Sequence, residues 1–180
     1  NTTSNLGGAV SCTYSTLDFA DCTFAYNEAL HGGGLRAQES HISLSGCTLV
    51  WNEAQSGGGL YLYNTDYTAV DNCLIAYSRN GHAIHCAYNC GTLLLACCDL
   101  YGNADGDWTS YIVGQLGQAG NVCVDPLLCG TFGSMDFTLD GDSVCLPENN
   151  TCGVLIGAWP EGCGSVGIEA TNWGKIKSMY

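Results

Sequence analysis

Basic side chains are the scarcest feature of this sequence. Four Lys and Arg stand against 17 Asp and Glu, leaving a net charge of −13 over 180 residues. Phosphate backbones and anionic lipid surfaces are gripped mainly by Lys and Arg, so nucleic acid and membrane surfaces are excluded as partners. No apolar run approaches the roughly 18 residues a membrane helix needs, so membrane insertion is not expected either. The chain starts at Asn1 with neither Met nor a signal-like apolar segment, and it reads as a mature or trimmed product. Its length suits one domain with a continuous core.

What the chain has instead is glycine and cysteine, 25 and 13 residues respectively. That cysteine density is high for a reducing compartment and favours an oxidising, extracellular or cell-surface setting reached by secretion. The count is odd, so at least one thiol is free, modified or paired with another chain.

An internal repeat organises the rest. GGAV at 7–10 returns as GGGL ending at Leu35, again as GGGL ending at Leu60, and loosely as GHAI ending at Ile84. A second block aligns Cys22, Cys47, Cys73 and Cys98, which recur at steps of 25, 26 and 25. Within each block apolar residues alternate with polar or small ones, the period of a strand. Gly- and Asn-containing corners separate the short strands. One such unit cannot bury its own apolar face, whereas stacked units place equivalent residues above one another at about 4.8 Å. The expected fold is all-β: a parallel β-solenoid of about 25 residues per rung.

The register writes out the interior columns. They are Val10, Leu35, Leu60, Ile84; Cys12, Ala37, Leu62, Cys86; Leu17, Ile42, Thr68, Leu93; Phe19, Leu44, Val70, Leu95; and Phe24, Leu49, Ile75, Leu100. Tyr26, Trp51 and Tyr77 form an aromatic column closing toward Gly102. Asn27, Asn52, Ser78 and Asn103 form a polar ladder beside it, able to satisfy corner backbone groups from rung to rung. Glu28, Glu53 and Arg79 follow, a charge column read as a solvated face.

The segments 21–35 (DCTFAYNEALHGGGL) and 46–60 (GCTLVWNEAQSGGGL) resemble the right-handed parallel β-helix repeats of pectate-lyase-like and polymorphic outer-membrane-protein-like sequences. The stretch from Asp125 through Cys129, Cys145 and Cys152 to Cys163 is similar to the closing segment of secreted bacterial β-helix proteins. The resemblance spans roughly residues 5–163 and implies the fold and secretion. Its hosts include lyases, hydrolases, adhesins and structural proteins, so it does not choose a function.

Rungs are expected over 1–103, a long loop or irregular last rung over 104–122, and a disulfide-stapled cap over 123–163. Cys129 with Cys145 and Cys152 with Cys163 are the expected pairs. The tail, 164–180, carries both Lys residues and an apolar set, Trp173, Ile176, Met179 and Tyr180, and reads as a docking segment. The column Cys22, Cys47, Cys73, Cys98 admits disulfides, a metal row or stacked thiols. Parallel side-chain vectors do not aim the sulfurs at one another as a disulfide requires, which favours buried thiols. His82, His85, Cys86 and Cys90 are metal-ligand types at suggestive spacing. On a strand, however, His85 and Cys86 face opposite sides, which favours a disulfide at Cys86 or Cys90.

No catalytic residue, cofactor or metal site is assigned. A polysaccharide lyase would need a base and Ca²⁺-holding carboxylates. A glycosidase would need two carboxylates across a groove, and outward Asp99, with Asp71, Asp105 and Asp107, leaves that alternative open. The outward residues Ala25, Val50, Ala76 and Tyr101, beside Thr23, Thr48, Leu74 and Asp99, read either as a flat interaction patch or as a chance cluster on a Gly-rich surface. Because 1–6 already fills the corner before GGAV, the first rung is expected to expose a bare parallel edge that another copy covers with its last rung or its tail. The expected interface is Val10, Cys12, Leu17 and Phe19 against Trp173, Ile176, Met179 and Tyr180. The expected function is a secreted structural subunit assembling head to tail into a filament or appendage. The alternatives are a polysaccharide-binding or polysaccharide-degrading protein and the C-terminal fragment of a longer adhesin, with surface glycans as a further partner.

Overall fold

A computed structural model describes residues 7–164. The first coil comprises β1 (Val10–Thr13), β2 (Thr16–Ala20), β3 (Thr23–Ala25) and β4 (Glu28–His31). The second repeats it as β5 (Leu35–Gln38), β6 (His41–Ser45), β7 (Thr48–Val50) and β8 (Glu53–Ser56). The third has β9 (Leu60–Tyr63), β10 (Tyr67–Asp71) and β11 (Leu74–Ala76), and the fourth β12 (Ile84–Tyr88), β13 (Thr92–Ala96) and β14 (Asp99–Tyr101). Equivalent strands pair in parallel, giving the sheets β1-β5-β9-β12, β2-β6-β10-β13 and β3-β7-β11-β14, with β4-β8 as a shorter fourth wall. Leu35 sits directly between Val10 and Leu60, and Leu49 between Phe24 and Ile75.

Each coil turns through corners held by a left-handed residue, and these too are stacked. Asp21, Gly46, Asn72 and Cys97 share one corner, and Tyr26, Trp51, Tyr77 and Gly102 another, all with φ between 51° and 67°. A left-handed conformation is strained for a bulky residue. In the second column the rings offset that strain by stacking, Tyr26 on Trp51 at 5.2 Å and Trp51 on Tyr77 at 6.1 Å. The adjoining glycines serve close approach instead: a Cβ on Gly33 would lie 2.7 Å from the carbonyl oxygens of Glu53 and Gly58.

The inward columns form one core in which Leu35, Leu44, Leu49, Leu60, Leu62 and Ile75 are wholly buried. Each such side chain contributes about 1.5–3 kcal/mol. Cys47, Cys73 and Cys98 are buried with them as free thiols and Cys22 is half-buried. Their sulfurs donate to nearby carbonyls such as Asp71 O and Val70 O.

The segment 104–122 is not merely a loop. It carries a short 3₁₀ helix, Ser110–Gln115, and inserts Trp108 and Ile112 into the core. The chain then turns back along the outside of the solenoid. Residues 123–163, with β15 (Leu139–Asp140) paired to β16 (Glu161–Cys163), lie on the outer face of the β3-β7-β11-β14 sheet and form a second core with it. Val50, Leu74 and Ala76 meet Phe137, Leu139, Leu146 and Ile156 there. The outward patch is therefore covered by the chain's own cap. Thr23 accepts from the Trp159 indole, Thr48 from Ala158 N, and Asp99 from Val124 N.

The cap disulfides also differ from the expected pairs. Cys129 joins Cys163, Cys152 joins Cys97, and Cys145 is a buried free thiol. The expected pairs assumed a cap closed on itself. Because the cap lies back on the sheet, Cys145 faces Asp99 and Cys152 reaches the corner cysteine of the last coil.

Candidate functional site

The two ends of the solenoid differ. At the C-terminal end the edges of β13 and β14 are occupied. Gln115 donates to Leu93 O at 2.9 Å and accepts from Leu95 N at 2.8 Å, imitating the strand that would come next. Asn121 continues this, donating to Leu95 O at 2.9 Å and accepting from Cys98 N at 3.0 Å. Val122 pairs with Cys98 and Leu100 of the last coil, and the Trp108 indole donates to Val122 O. Edges so blunted are poor templates for a further strand.

At the other end, β1, β2 and β3 are the outermost strands of their sheets among the described residues. Val10, Leu17 and Phe19 are half-buried there, while their successors Leu35, Ile42 and Leu44 are fully buried; Cys12 is buried. The edge carries acid on its outer side, with Asp18, Asp21 and Glu28 exposed. Trp173, Ile176, Met179 and Tyr180 lie outside the described residues.

The outer face of the β1-β5-β9-β12 sheet gathers most of the histidine. His31 stacks on Tyr61 at 4.7 Å, Tyr61 on His85 at 5.6 Å, and His85 on His82 at 5.6 Å. Burial holds His31 and His85 below the ordinary histidine range, with Arg36 adding to the effect at His31 and His82 at His85. Cys86 and Cys90 are joined to each other, which removes their thiolates from any metal site built on this motif. Among the described residues no group of three or more His, Cys, Asp or Glu could hold a metal ion.

An acidic group lies where the cap meets the last coil. Asp99 is fully buried, accepting from Val124 N at 3.1 Å and from the Cys145 thiol at 3.5 Å. Burial pushes its carboxyl up to about 7. Nearby, Asp107 accepts from Asn103 N and Nδ2, and Asp125 accepts from the Tyr77 hydroxyl at 2.6 Å. Asp99 is outward on its strand, as its register requires, but the cap seals it from any substrate. It cannot serve as half of a carboxylate pair across an open groove.

Beside this group, the aromatic corner and the cap loop border an open cleft of about 390 Å³. Trp51 and Tyr77 line it from the solenoid, and Asp125, Leu127, Leu128 and Phe132 from the cap. The Arg79 guanidinium lies 4.7 Å from the centre of the Phe132 ring and is tied to Glu53 at 3.2 Å. The repeat made Trp51 and Tyr77 visible as a column, but the cap residues fall outside any repeat and no sequence signal placed them opposite.

The description of the right-handed β-helix region as a protein family matches residues 8–124. No curated protein and no solved structure matches the chain.

Proposed function

Starting from a chain that belongs to the right-handed β-helix family, we propose that it is a secreted structural subunit that assembles head to tail outside the cell. The observation that carries this reading is the contrast between the ends. The edges of β13 and β14 are blunted by Gln115 and Asn121, while at the other end half-buried Val10, Leu17 and Phe19 lie on strands that are outermost among the described residues. With β13 and β14 blunted, the partner element is the tail of a second copy, laid against the outermost strands of the first coil. Its Trp173, Ile176, Met179 and Tyr180 supply apolar contacts. Lys175 and Lys177, two of the four basic residues of the chain, complement Asp18, Asp21 and Glu28. Three disulfides suit an oxidising compartment. A structural role is supported by the burial of Asp99 beneath the cap, where no substrate reaches its carboxyl.

Sedimentation velocity and negative-stain microscopy of the full chain test this. Wild type should form concentration-dependent oligomers or fibres. Leu17→Lys at the edge and Ile176→Asp in the tail should each return it to monomer without altering the melting temperature greatly. A wild type that stays monomeric at high concentration overturns the proposal, and oligomers indifferent to Ile176→Asp overturn the role of the tail.

A further inference from the structure

We propose that the column of free thiols, Cys22, Cys47, Cys73 and Cys98, binds soft monovalent ions of the copper(I) and silver(I) class, each ion held in line between two successive sulfurs. The site lies inside the solenoid, and neither it nor the assembly reading depends on the other.

Register fixes the geometry. Thr48 N donates to Cys22 O, Leu74 N to Cys47 O and Asp99 N to Cys73 O, so the four cysteines stand one above another in successive coils. Their side chains repeat as well. Each thiol donates to the carbonyl two residues before it, Ala20, Ser45, Asp71 or Ala96, at 3.1 to 3.4 Å. Sulfurs related by the coil repeat are separated by the coil spacing, about 4.8 Å. That exceeds the disulfide bond of about 2.05 Å by far. Two metal–sulfur bonds, taking the zinc–thiolate length of about 2.3 Å as a guide, span about 4.6 Å laid end to end. An ion midway between neighbouring sulfurs is therefore two-coordinate. The thiols already sense one another: burial raises Cys22 and Cys47 adds to this, while Cys73 draws the Cys47 thiol below the ordinary cysteine range.

The class of ion follows from the kind and number of ligands. Thiolates select soft ions such as copper(I). Zinc takes four ligands in a tetrahedron, and among the described residues no group of three or more His, Cys, Asp or Glu could hold one ion. Monovalent charge also suits a buried site, where added charge is costly. Each ion that enters displaces one thiol proton, so the charge of the core is unchanged. Four sulfurs offer three intervals: three ions enter, three protons leave, and the remaining thiol keeps its proton and coordinates through a lone pair. No carbonyl of the buried coils is orphaned, because Ser45 O, Asp71 O and Ala96 O also accept from Asp21 N, Gly46 N and Asn72 N. Cys22 is half-buried on the outermost described coil, whereas the other three are buried. The column is entered there.

The test uses silver nitrate as the probe, in chloride-free buffer without reductant, on the full chain carrying Cys123→Ser. That substitution removes the exposed free thiol of the described residues. Native mass spectrometry should show three retained ions, each adding the mass of silver less that of one proton. X-ray absorption at the silver edge should find two sulfur neighbours and no nitrogen. Circular dichroism should show the β structure intact and the melting temperature raised, as for any ligand of the native state. Adding Cys22→Ser, at the half-buried end of the column, should lower the count from three ions to two. Silver held instead by Cys12 or Cys145 would leave the count indifferent to Cys22→Ser and would overturn the site. Failure of the folded chain to retain silver, a sulfur coordination other than two, or loss of β structure on loading would each overturn it as well, and the last two need no variant of the column.

Discussion

The thiol of Cys145, carried on the returning cap, donates to Oδ2 of Asp99 across 3.5 Å in a space with no exposure to solvent. A carboxyl held there binds its proton more tightly than in the unfolded chain, up to about 7 from an ordinary 3.8. Between those values the native state carries the proton and the unfolded state does not. Stability therefore falls as pH rises from about 4 to about 7, and the full penalty, a few kcal/mol, applies above that window. Asp107 and Asp125 deepen the effect, because an ionised Asp99 would face both. Asp99→Asn should remove this dependence. Melting temperatures across the window should show the variant gaining on wild type as pH increases. A difference that stays constant with pH would refute this account of Asp99.

The Cys97–Cys152 disulfide ties the cap to the last coil across a sequence separation of 55. A loop of that length corresponds to roughly 4 kcal/mol of stabilisation in the chain-entropy account. Replacing both cysteines by Ser should lower stability by an amount of that order. Amide exchange should locate the loss: protection in 124–163 should fall well before protection in β6 and β10. Uniform loss across both regions would mean that cap and solenoid unfold as one unit.

This division between cap and solenoid also marks how far the sequence could be read. The solenoid was legible because stacking demands sameness: Leu35 lies over Leu60, and Cys47 over Cys73, for the reason that the repeat has a period. Even the left-handed corners follow that period. The cap has no period, and its contacts are between unlike residues, Trp159 with Thr23 or Phe137 with Trp51. Outward small residues such as Ala25 and Ala76 look the same whether solvent or a returning chain lies over them. The cysteine pairing failed for the same cause, since it required knowing that Cys152 would lie against the last coil. The cleft at Asp125 and Phe132 was invisible because half of it belongs to the cap.

The polar ladder contains one flaw that gives a stabilising prediction. Asn52 accepts from Asn27 N at 3.1 Å and donates to Phe24 O at 2.7 Å, and Asn103 does the same for Ser78 N and Ile75 O. Ser78 is too short to repeat this for Asn52, and its buried hydroxyl has no partner. Ser78→Asn should complete the ladder, with Oδ1 meeting Asn52 N and the amide meeting Leu49 O. The gain should be about 1–2 kcal/mol, one or two net hydrogen bonds together with relief of an unsatisfied hydroxyl. Chemical denaturation should show a higher midpoint with an unchanged slope. A lower midpoint would mean that the third coil is too tightly packed to admit the amide.

Gln115 makes the sharpest test of how the solenoid ends. Its amide stands in for a strand, receiving Leu95 N and donating to Leu93 O, so one side chain satisfies two backbone groups that would otherwise template pairing. Gln115→Met keeps the length and apolar stem and removes both bonds. Each orphaned group costs about 1–3 kcal/mol where water cannot replace the partner. Gln115→Glu retains the acceptor for Leu95 N but offers Leu93 O no donor at neutral pH, so its loss should be intermediate. If the amide is what closes this edge, the Met variant should also associate more than wild type at equal concentration, in sedimentation velocity. Met and Glu variants as stable as wild type, with no added association, would show instead that Trp108 and Ile112 close the end by packing alone.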